Sequence, residues 1–424
     1  MRRIVAMLRP PARMTIRDRR ALTLMATAAL VAGYSGSVIT HTLTYSRQYL
    51  GITEGEMSWV FATTRAVSLL VLAFSLYGDR HGRRAPFLVA FVLLPVANMA
   101  TSLTSNAAAF AAAQSFARLG VVTVAVLAIV LLAEELSPAV RAYGLGVYAL
   151  AGAAGSGISL LILPIAESRP DGFRIMFALS AAGLLAWPLL YRYLAESRAF
   201  VPAEYRAPLR QVMAGGYGRH LWGLSAVAFF VALFSSPALN FAFERLIDDL
   251  AWRAGDARWL FITASGLGTT GLLVGGRFAD LVGRRPAEMI ALLLGVMGGV
   301  GVYLVSEPGL VWVTVFAATF GATILTPALA AHRSELFPTS LRATAGAWIS
   351  NAAIVGGMSG FAIAAVVEPS LGLSTTIVLL GIGVIIAMVL VVPLPETRGL
   401  DLIRRGAVTV PTAATTPSSP PASR

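Results

Sequence analysis

The sequence predicts an all-α membrane protein: twelve transmembrane helices in two parallel-repeat six-helix halves around a central cavity. Three observations predict this fold, namely the composition, the number of long apolar segments, and a set of motifs that occurs twice. Of the 424 residues, 57% are hydrophobic and only 13% are charged, whereas soluble domains usually carry about 25% charged residues. Much of this apolar surface must therefore face lipid.

The composition also excludes several kinds of chemistry. The chain has no cysteine and no lysine, so all 33 basic residues are arginine. Disulfides and thiolate catalysis are excluded, as are a lysine-dependent P-loop and a Schiff base. The four histidines, His41, His81, His220 and His332, do not have the spacing of a metal site. We therefore expect no enzymatic activity, no metal and no cofactor.

Twelve segments are long and apolar enough to cross a bilayer, which takes about 20 residues. The abundant glycines, 40 in the chain, suit close helix packing in lipid. The predicted spans are 21–43, 57–77, 86–104, 108–132, 143–165, 173–193, 220–243, 259–280, 287–305, 309–331, 343–366 and 373–394.

Arginine placement predicts the orientation of these spans. With both termini in the cytoplasm, 25 arginines lie on the cytoplasmic side, six on the other side and two within spans. Positive residues concentrate on the cytoplasmic side of membrane proteins. We therefore expect a multi-pass protein of the plasma (inner) membrane. This placement also accounts for the net charge of +12, so the lipid bilayer is the expected partner and nucleic acid is not.

The spans divide the chain into five regions. A cytoplasmic tail (1–20) precedes the N-terminal half (21–193), and a cytoplasmic linker (194–219) leads to the C-terminal half (220–394). The last region, 395–424, is rich in Pro, Ser, Thr and Ala and is predicted to be a largely disordered cytoplasmic tail.

Three motifs recur at an offset of 200 or 201 residues, always at the cytoplasmic edge of the same span of each half. GDRHGRR (78–84) aligns with ADLVGRR (279–285), EELSPAVRA (134–142) with SELFPTSLRA (334–343), and LAESR (194–198) with LPETR (394–398). The two halves are therefore a parallel repeat, which is an architecture of transporters. The motif residues are Asp79, Gly82, Arg83, Arg84, Glu135, Arg141, Asp280, Gly283, Arg284, Arg285, Glu335, Arg342, Glu396 and Arg398.

These motifs resemble the signature of the major facilitator superfamily, and the resemblance covers all twelve spans. The Glu-Pro-Arg, ESR and PETRG motifs are similar to those of the sugar-porter branch and its metabolite–proton symporter relatives. The resemblance implies a monomeric transporter or symporter that works by rocker-switch alternating access on a small-molecule substrate. It also implies that the motif residues form a cytoplasmic latch, and it makes protons a candidate coupling ion.

The chain departs from the sugar-porter pattern at three places. The branch has Gly-Tyr-Asp in its first span, where this chain has Gly33-Tyr34-Ser35, and serine does not titrate near neutral pH. The seventh span lacks the branch's glutamine pair, and Ala330 occupies the position of a tryptophan in the tenth-span motif. Sugar as substrate, and proton symport through the first span, are therefore both disfavoured.

Two arginines lie deep within predicted spans, Arg65 in the second and Arg118 in the fourth. A charge at that depth costs about 2.5–3.5 kcal/mol or more unless it meets water or a partner. One interpretation is that both line the cavity and bind an anionic group, since guanidinium suits carboxylate. The other is that they bond to backbone carbonyls and shape the helices.

Polar residues of the spans supply further candidates for the cavity: Tyr34, Ser35, Gln114, Asn240 and Asn351. Each has an alternative interpretation as a hydrogen bond between helices. His41, near the outer end of the first span, is interpreted as an interfacial or capping residue.

The sequence thus predicts secondary active or facilitated transport of a small organic solute, with a carboxylate anion as the candidate. A drug-efflux carrier of the same fold is the alternative, although no deep carboxylate is present to recognise cationic drugs. A transporter-like membrane sensor is the alternative from another class.

Overall fold

The computed structural model describes residues 13–137, 140–196, 216–337 and 339–397, without the side chains at positions 79, 141, 142, 334, 339, 340, 342 and 343, which include Asp79, Arg141 and Arg342. Arg398, most of the predicted linker and almost all of the C-terminal tail therefore lie outside the described residues.

The described residues form helices connected by short loops, and twelve of these helices are long and apolar enough to span a membrane, as predicted. We label them α1 to α12. They are Ile16–His41, Glu54–Gly78, Arg84–Ser102, Ala107–Glu135, Tyr143–Glu167, Gly172–Tyr193, Gly218–Asp249, Ala254–Val282, Arg284–Leu304, Pro308–Arg333, Thr344–Leu371 and Leu373–Val391.

Local sequence explains where several of these helices begin. Thr15 precedes α1 and Thr53 precedes α2, and each forms a capping box with an acidic residue three positions later, Asp18 and Glu56. Such a box satisfies two backbone N–H groups that a helix start leaves unpaired. Asn106 accepts from the backbone N–H of Ala109 at the start of α4.

The repeat is visible in the interruptions of α2 and α8. Helix α2 is interrupted at 69–70, between Glu54–Ser68 and Val71–His81. Helix α8 is interrupted 200 residues later, between Ala254–Gly268 and Gly271–Val282. The two helices are therefore interrupted at equivalent positions of the repeat, and these positions lie outside the repeated sequence motifs.

Glycines bring the helices of each half into backbone contact. A Cβ on Gly155 of α5 would lie 2.0 Å from the carbonyl oxygen of Leu30 in α1. In the other half, a Cβ on Gly360 of α11 would lie 2.0 Å from the carbonyl oxygen of Leu233 in α7. The same pair of helices is thus locked in the same way in each half.

The two ends of the bundle differ in how the halves meet. We call the end that carries residues 16 and 397 the termini face, and the end that carries the 42–53 connection the gate face. Towards the gate face, α2 packs against α11 and α5 against α8. Phe61 of α2 stacks on Phe361 of α11 with ring centroids 4.8 Å apart. The halves are therefore closed against each other at the gate face.

Candidate transport site

A pocket containing both deep arginines lies where the halves meet. Its lining residues come from α1, α2, α4 and α7, and we call it the arginine pocket: Ser35, Gly36, Ile39, Phe61, Thr64, Arg65, Gln114, Ala117, Arg118, Val121 and Asn240. It is narrow, about 30 Å³. A water molecule needs about 10–15 Å³ by this measure, so the pocket has room for about two waters or one small ionic group.

A larger cavity of about 520 Å³ adjoins it, lined chiefly by apolar residues of α7 to α10. We call it the apolar pocket. Arg65 and Asn240 line both pockets, and Ser235, Ser236 and Thr326 add hydroxyl groups to the larger one. Ligand sites of roughly 300–1,000 Å³ that combine apolar walls with a few polar groups are typical of small-molecule recognition.

Arg65 reaches from the N-terminal half to the C-terminal half. Its guanidinium lies over the ring of Phe361, 5.4 Å from the centroid. A Cβ at Gly357 of α11 would lie 3.0 Å from the Arg65 Cδ, so the glycine makes room for the arginine stem. The Arg65 side chain is thus held at the boundary that must open and close if the halves move.

Neither Arg65 nor Arg118 has a carboxylate within 4 Å or a hydrogen-bond acceptor among the residues that the structure describes. The two charges also repel each other, since Arg118 acts on Arg65 across the pocket. The backbone-carbonyl contacts that would have made them purely structural are absent from the described residues. The arginine pocket therefore carries uncompensated positive charge.

Asn240 connects the halves beside this charge. Its Oδ1 accepts from the hydroxyl of Thr40 in α1 at 2.7 Å, and its Nδ2 donates to the carbonyl of Ser236 at 2.8 Å. Asn240 belongs both to the pocket lining and to a contact between α1 and α7.

The other predicted cavity residues have different surroundings. Ser35 lines the arginine pocket, and its hydroxyl is buried without a hydrogen-bond partner in the described part of the chain. Gln114 also lines it, but its amide nitrogen donates to Asn98 and Thr101 at 3.0 and 2.8 Å. Tyr34 lines neither of the two pockets; it is buried and donates to the Met176 carbonyl at 2.8 Å. Asn351 lines neither of the two pockets.

His41 lies outside the site. The ring is buried and its Nδ1 lies 2.6 Å from the hydroxyl of Ser159 in α5.

At the termini face, some motif residues of the first half form ion pairs, whereas the side chains of Asp79 and Arg141 lie outside the described residues. Arg83 forms an ion pair with Glu134, a residue that the sequence analysis did not single out. Glu135 binds Arg17, with 2.5 Å between the Arg17 Nη2 and the carboxylate. In the second half, Arg284 binds both Asp280 and Glu335, the latter at 2.7 Å. Each of these pairs lies within one half of the protein.

Two glutamates of the third motif cap helices in the same way in both halves. Glu196 accepts from the backbone N–H groups of Arg83 and Arg84 at 2.9 and 3.1 Å. Glu396 accepts from those of Arg284 and Arg285 at 2.8 and 3.0 Å. Negative charge at a helix start is favourable. Glu196 was missed by the sequence analysis, although the repeat aligns it with Glu396.

Gly82 and Gly283 allow these caps to form. Their φ angles are +104° and +108°, a region that favours glycine. A Cβ would lie 2.5 Å from the Glu196 Oε2 and 2.9 Å from the Glu396 Oε2. The glycines of the motif are therefore required both by backbone conformation and by the close approach of a carboxylate.

Charged residues that were not predicted from the sequence join the halves at the gate face. Arg47, after α1, donates to Glu244 at 2.5 Å and to Asp248 at 2.6 Å, both in α7. Arg258 of α8 lies 3.6 Å from Glu167 at the end of α5. The predicted seventh span ends at 243, but α7 extends to Asp249 and the Glu244 side chain is only 1% exposed.

One buried ionisable pair lies in the second half near the termini face. The Nδ1 of His332 and the Oε1 of Glu288 are 2.8 Å apart, and neither side chain is exposed. The Nε2 of His332 lies 3.0 Å from the carbonyl of Pro395. Within the described part of the chain, no three His, Asp or Glu side chains are arranged to hold a metal.

The comparisons with known proteins agree with this fold. The family model described as Major Facilitator Superfamily matches residues 225–418. No curated protein matches the chain.

Several solved transporters share the fold over almost their whole length. A bacterial homologue of the human lysosomal transporter Spinster, in an inward-facing unoccupied conformation, is 14% identical with a TM-score of 0.71, covering 89% of this chain and 96% of that one. The inward-open xylose transporter XylE from E. coli is 18% identical with a TM-score of 0.70, covering 91% and 98%. The nucleoside transporter NupG is 10% identical with a TM-score of 0.74, covering 88% and 98%.

Proposed function

We propose that this chain is a small-solute transporter of the major facilitator superfamily, and that it carries organic anions, which it recognises by a carboxylate. The observation that supports this substrate class is the pair of arginines in the arginine pocket, which have no acidic partner among the described residues. The finer assignment comes from the chemistry of this pocket, since fold likeness alone does not give a substrate.

The chemistry of guanidinium favours an anion. Arginine offers planar, paired donors that match carboxylate oxygens, and hydrogen bonds to charged groups contribute about 1.5–3 kcal/mol each. A carboxylate placed between Arg65 and Arg118 would also relieve the repulsion between them. The apolar pocket next to it suits the hydrocarbon part of the same solute.

Arginine placement along the chain supports an orientation in which the termini face is cytoplasmic. In that orientation the structure is inward-facing, because the halves close at the gate face. The proposed transport cycle alternates this state with one in which the gate face opens and the termini face closes.

The termini-face clusters then have two roles in the proposal. In this state they hold the helices of each half together, as the Arg17–Glu135 and Arg284–Glu335 pairs do. In the outward-facing state, the motif arginines would change partners to close the cytoplasmic side. Asp79→Asn should shift the cysteine accessibility of cytoplasm-facing positions, and an unchanged accessibility would contradict the latch.

Uptake into proteoliposomes tests the substrate class. The panel pairs each aliphatic or aromatic carboxylate with its own amide, so that the two solutes differ in charge and hardly in size. Sugars and cationic drugs complete the panel, with and without a pH gradient. We expect uptake of carboxylates and not of their amides.

The variants Arg65→Gln and Arg118→Gln should each weaken carboxylate binding about tenfold or more, which corresponds to one charge-assisted hydrogen bond. Arg169→Gln is the matched control, because Arg169 lies at the gate face and is 53% exposed. Equal uptake of acids and amides would refute the proposal, and so would equal effects of all three variants. Transport of cationic drugs in place of carboxylates would favour the efflux carrier.

A further inference from the structure

The gate face contains more carboxylates than cations. Arg47 alone contacts Glu54 at 3.5 Å, Glu244 at 2.5 Å and Asp248 at 2.6 Å. Two other arginines of the gate face already have acidic partners, Arg245 with Asp249 at 3.0 Å and Arg258 with Glu167 at 3.6 Å. One positive charge is thus shared among three carboxylates, all at least three-quarters buried.

A fourth carboxylate joins this group from the other half. Glu54, at the start of α2, lies beside Glu368 near the end of α11. The packing brings the two helices together at this point, because a Cβ on Gly55 would lie 3.2 Å from the Ala365 carbonyl and 3.5 Å from the Glu368 Oε2. Two carboxyl groups can share a hydrogen bond only if one of them carries a proton, because carboxylates have no donor.

The equivalent contact between the other two helices is built differently. The packing of α5 against α8 carries Glu167 and Arg258, which have opposite charges. The packing of α2 against α11 carries Glu54 and Glu368, which have the same charge. Glu167 and Glu368 are related by the repeat offset of 201, so equivalent glutamates face a cation in one contact and a carboxylate in the other.

We propose that Glu54 and Glu368 together bind one proton, and that this proton holds the gate face closed. The bound proton forms an O–H donor on one carboxyl group and the other carboxylate accepts it. When the O–H bond breaks, the proton passes to the outer solution and both groups become anions. These then repel each other next to Glu244 and Asp248, and α2 separates from α11. This inference rests on the proposed transport cycle and makes the proton its coupling ion.

The surroundings strengthen this dependence on the proton. Asp249 adds a further negative field at Glu54, and Glu244 has a buried Oε2 without a hydrogen-bond partner among the described residues. Arg47 is the cation that contacts Glu54, and its remaining donors are engaged by Glu244 and Asp248. Loss of the proton is therefore not compensated by a second cation.

Electron paramagnetic resonance on spin-labelled protein tests the proposal without any solute. The chain has no cysteine, so Ser168→Cys and Ser370→Cys place one label on each half at exposed positions of the gate face. Distances between the labels would be measured from pH 5 to pH 9. We expect a short distance at low pH and a growing population of longer distances as pH rises.

Glu54→Gln and Glu368→Gln should each abolish this change and keep the short distance at every pH, because an amide donates to the remaining carboxylate without a titrating proton. Glu167→Gln is the matched control and should retain the pH response. A wild-type distance that does not depend on pH would overturn the proposal. It would also be overturned if Glu244→Gln, and neither variant of the pair, removed the response. Because the distances are measured without any solute, they do not depend on whether the protein takes up anions. Either proposal can therefore be refuted without refuting the other.

Discussion

Replacing Gly155 with alanine should force the first and fifth helices apart. The added Cβ would lie 2.0 Å from the Leu30 carbonyl oxygen and 2.8 Å from the Tyr34 backbone nitrogen. Carbon–oxygen contacts are normally about 3.3 Å or longer, so α1 must move by about 1.3 Å. Both obstructing atoms belong to the backbone and cannot rotate away. Overpacking of this kind typically costs about 1–3 kcal/mol.

Gly157, two residues further along the same helix, is the matched control. A Cβ there meets nothing within 4 Å, and alanine is favoured over glycine inside a helix by about 0.5–1 kcal/mol. Thermal unfolding in detergent, followed by tryptophan fluorescence, compares the two variants. We expect Gly155→Ala to unfold several degrees below wild type and Gly157→Ala to unfold at the same temperature or higher.

The repeat supplies an independent test of the same reasoning. Gly360→Ala should destabilise the second half as Gly155→Ala does the first, because its Cβ would lie 2.0 Å from the Leu233 carbonyl. Gly346→Ala on the same helix has open space around it and should be neutral. If clashing and open positions gave the same unfolding temperature in both halves, the close helix packing would be refuted.

Three further predictions concern the termini face. His332→Leu should destabilise by about 3–5 kcal/mol because Glu288 is left buried without a partner, whereas adding Glu288→Leu should recover most of this loss in thermal unfolding. Gly82→Ala and Gly283→Ala should each cost about 1–3 kcal/mol through backbone strain, with Gly146→Ala, which has open space, as the control. Burial raises the pKa of Glu335, but hydrogen bonds from Arg284 and Thr397 outweigh it and the pKa lies below its ordinary value of 4.5. Its stabilising effect is therefore present above pH 4.5 and lost as pH falls further, and unfolding of Glu335→Gln should depend less on pH in that acidic range.

The sequence was sufficient for the helices but not for the charged contacts at the gate face. Hydropathy locates twelve apolar segments well, because each must cross the same thickness of lipid. It ended the seventh span at 243, whereas α7 continues to Asp249 through a π-helical turn at Arg245–Asp249. A hydropathy pattern counts Glu244 and Asp248 as loop residues. Their burial depends on Arg47, which comes almost 200 residues earlier.

The candidate site was predicted unevenly for a related reason. Arg65 and Arg118 stand out from sequence because a charge in an apolar span is costly. Tyr34 and Ser35 are neighbours in sequence, yet Ser35 lines the arginine pocket and Tyr34 bonds to the Met176 carbonyl. Neighbouring residues on a helix point about 100° apart, so the rotation of α1 about its axis determines which of the two faces the pocket. The composition of the span does not reveal this rotation.

The two halves share the residues that hold their helices together, but they do not share the residues proposed to act in transport. The capping glutamates Glu196 and Glu396 correspond at an offset of 200, and so do the helix interruptions at 69–70 and 269–270. At the same offset, Arg65 corresponds to Ser265, Arg118 to Ala318 and Glu54 to Ala254. The features that hold each half together are thus duplicated. The two arginines proposed to bind the anion occur once, and so does Glu54 of α2, which is proposed to share a proton. Changes at the duplicated positions should therefore reduce stability in both halves alike, and changes at the unpaired positions should alter transport while leaving unfolding nearly unchanged.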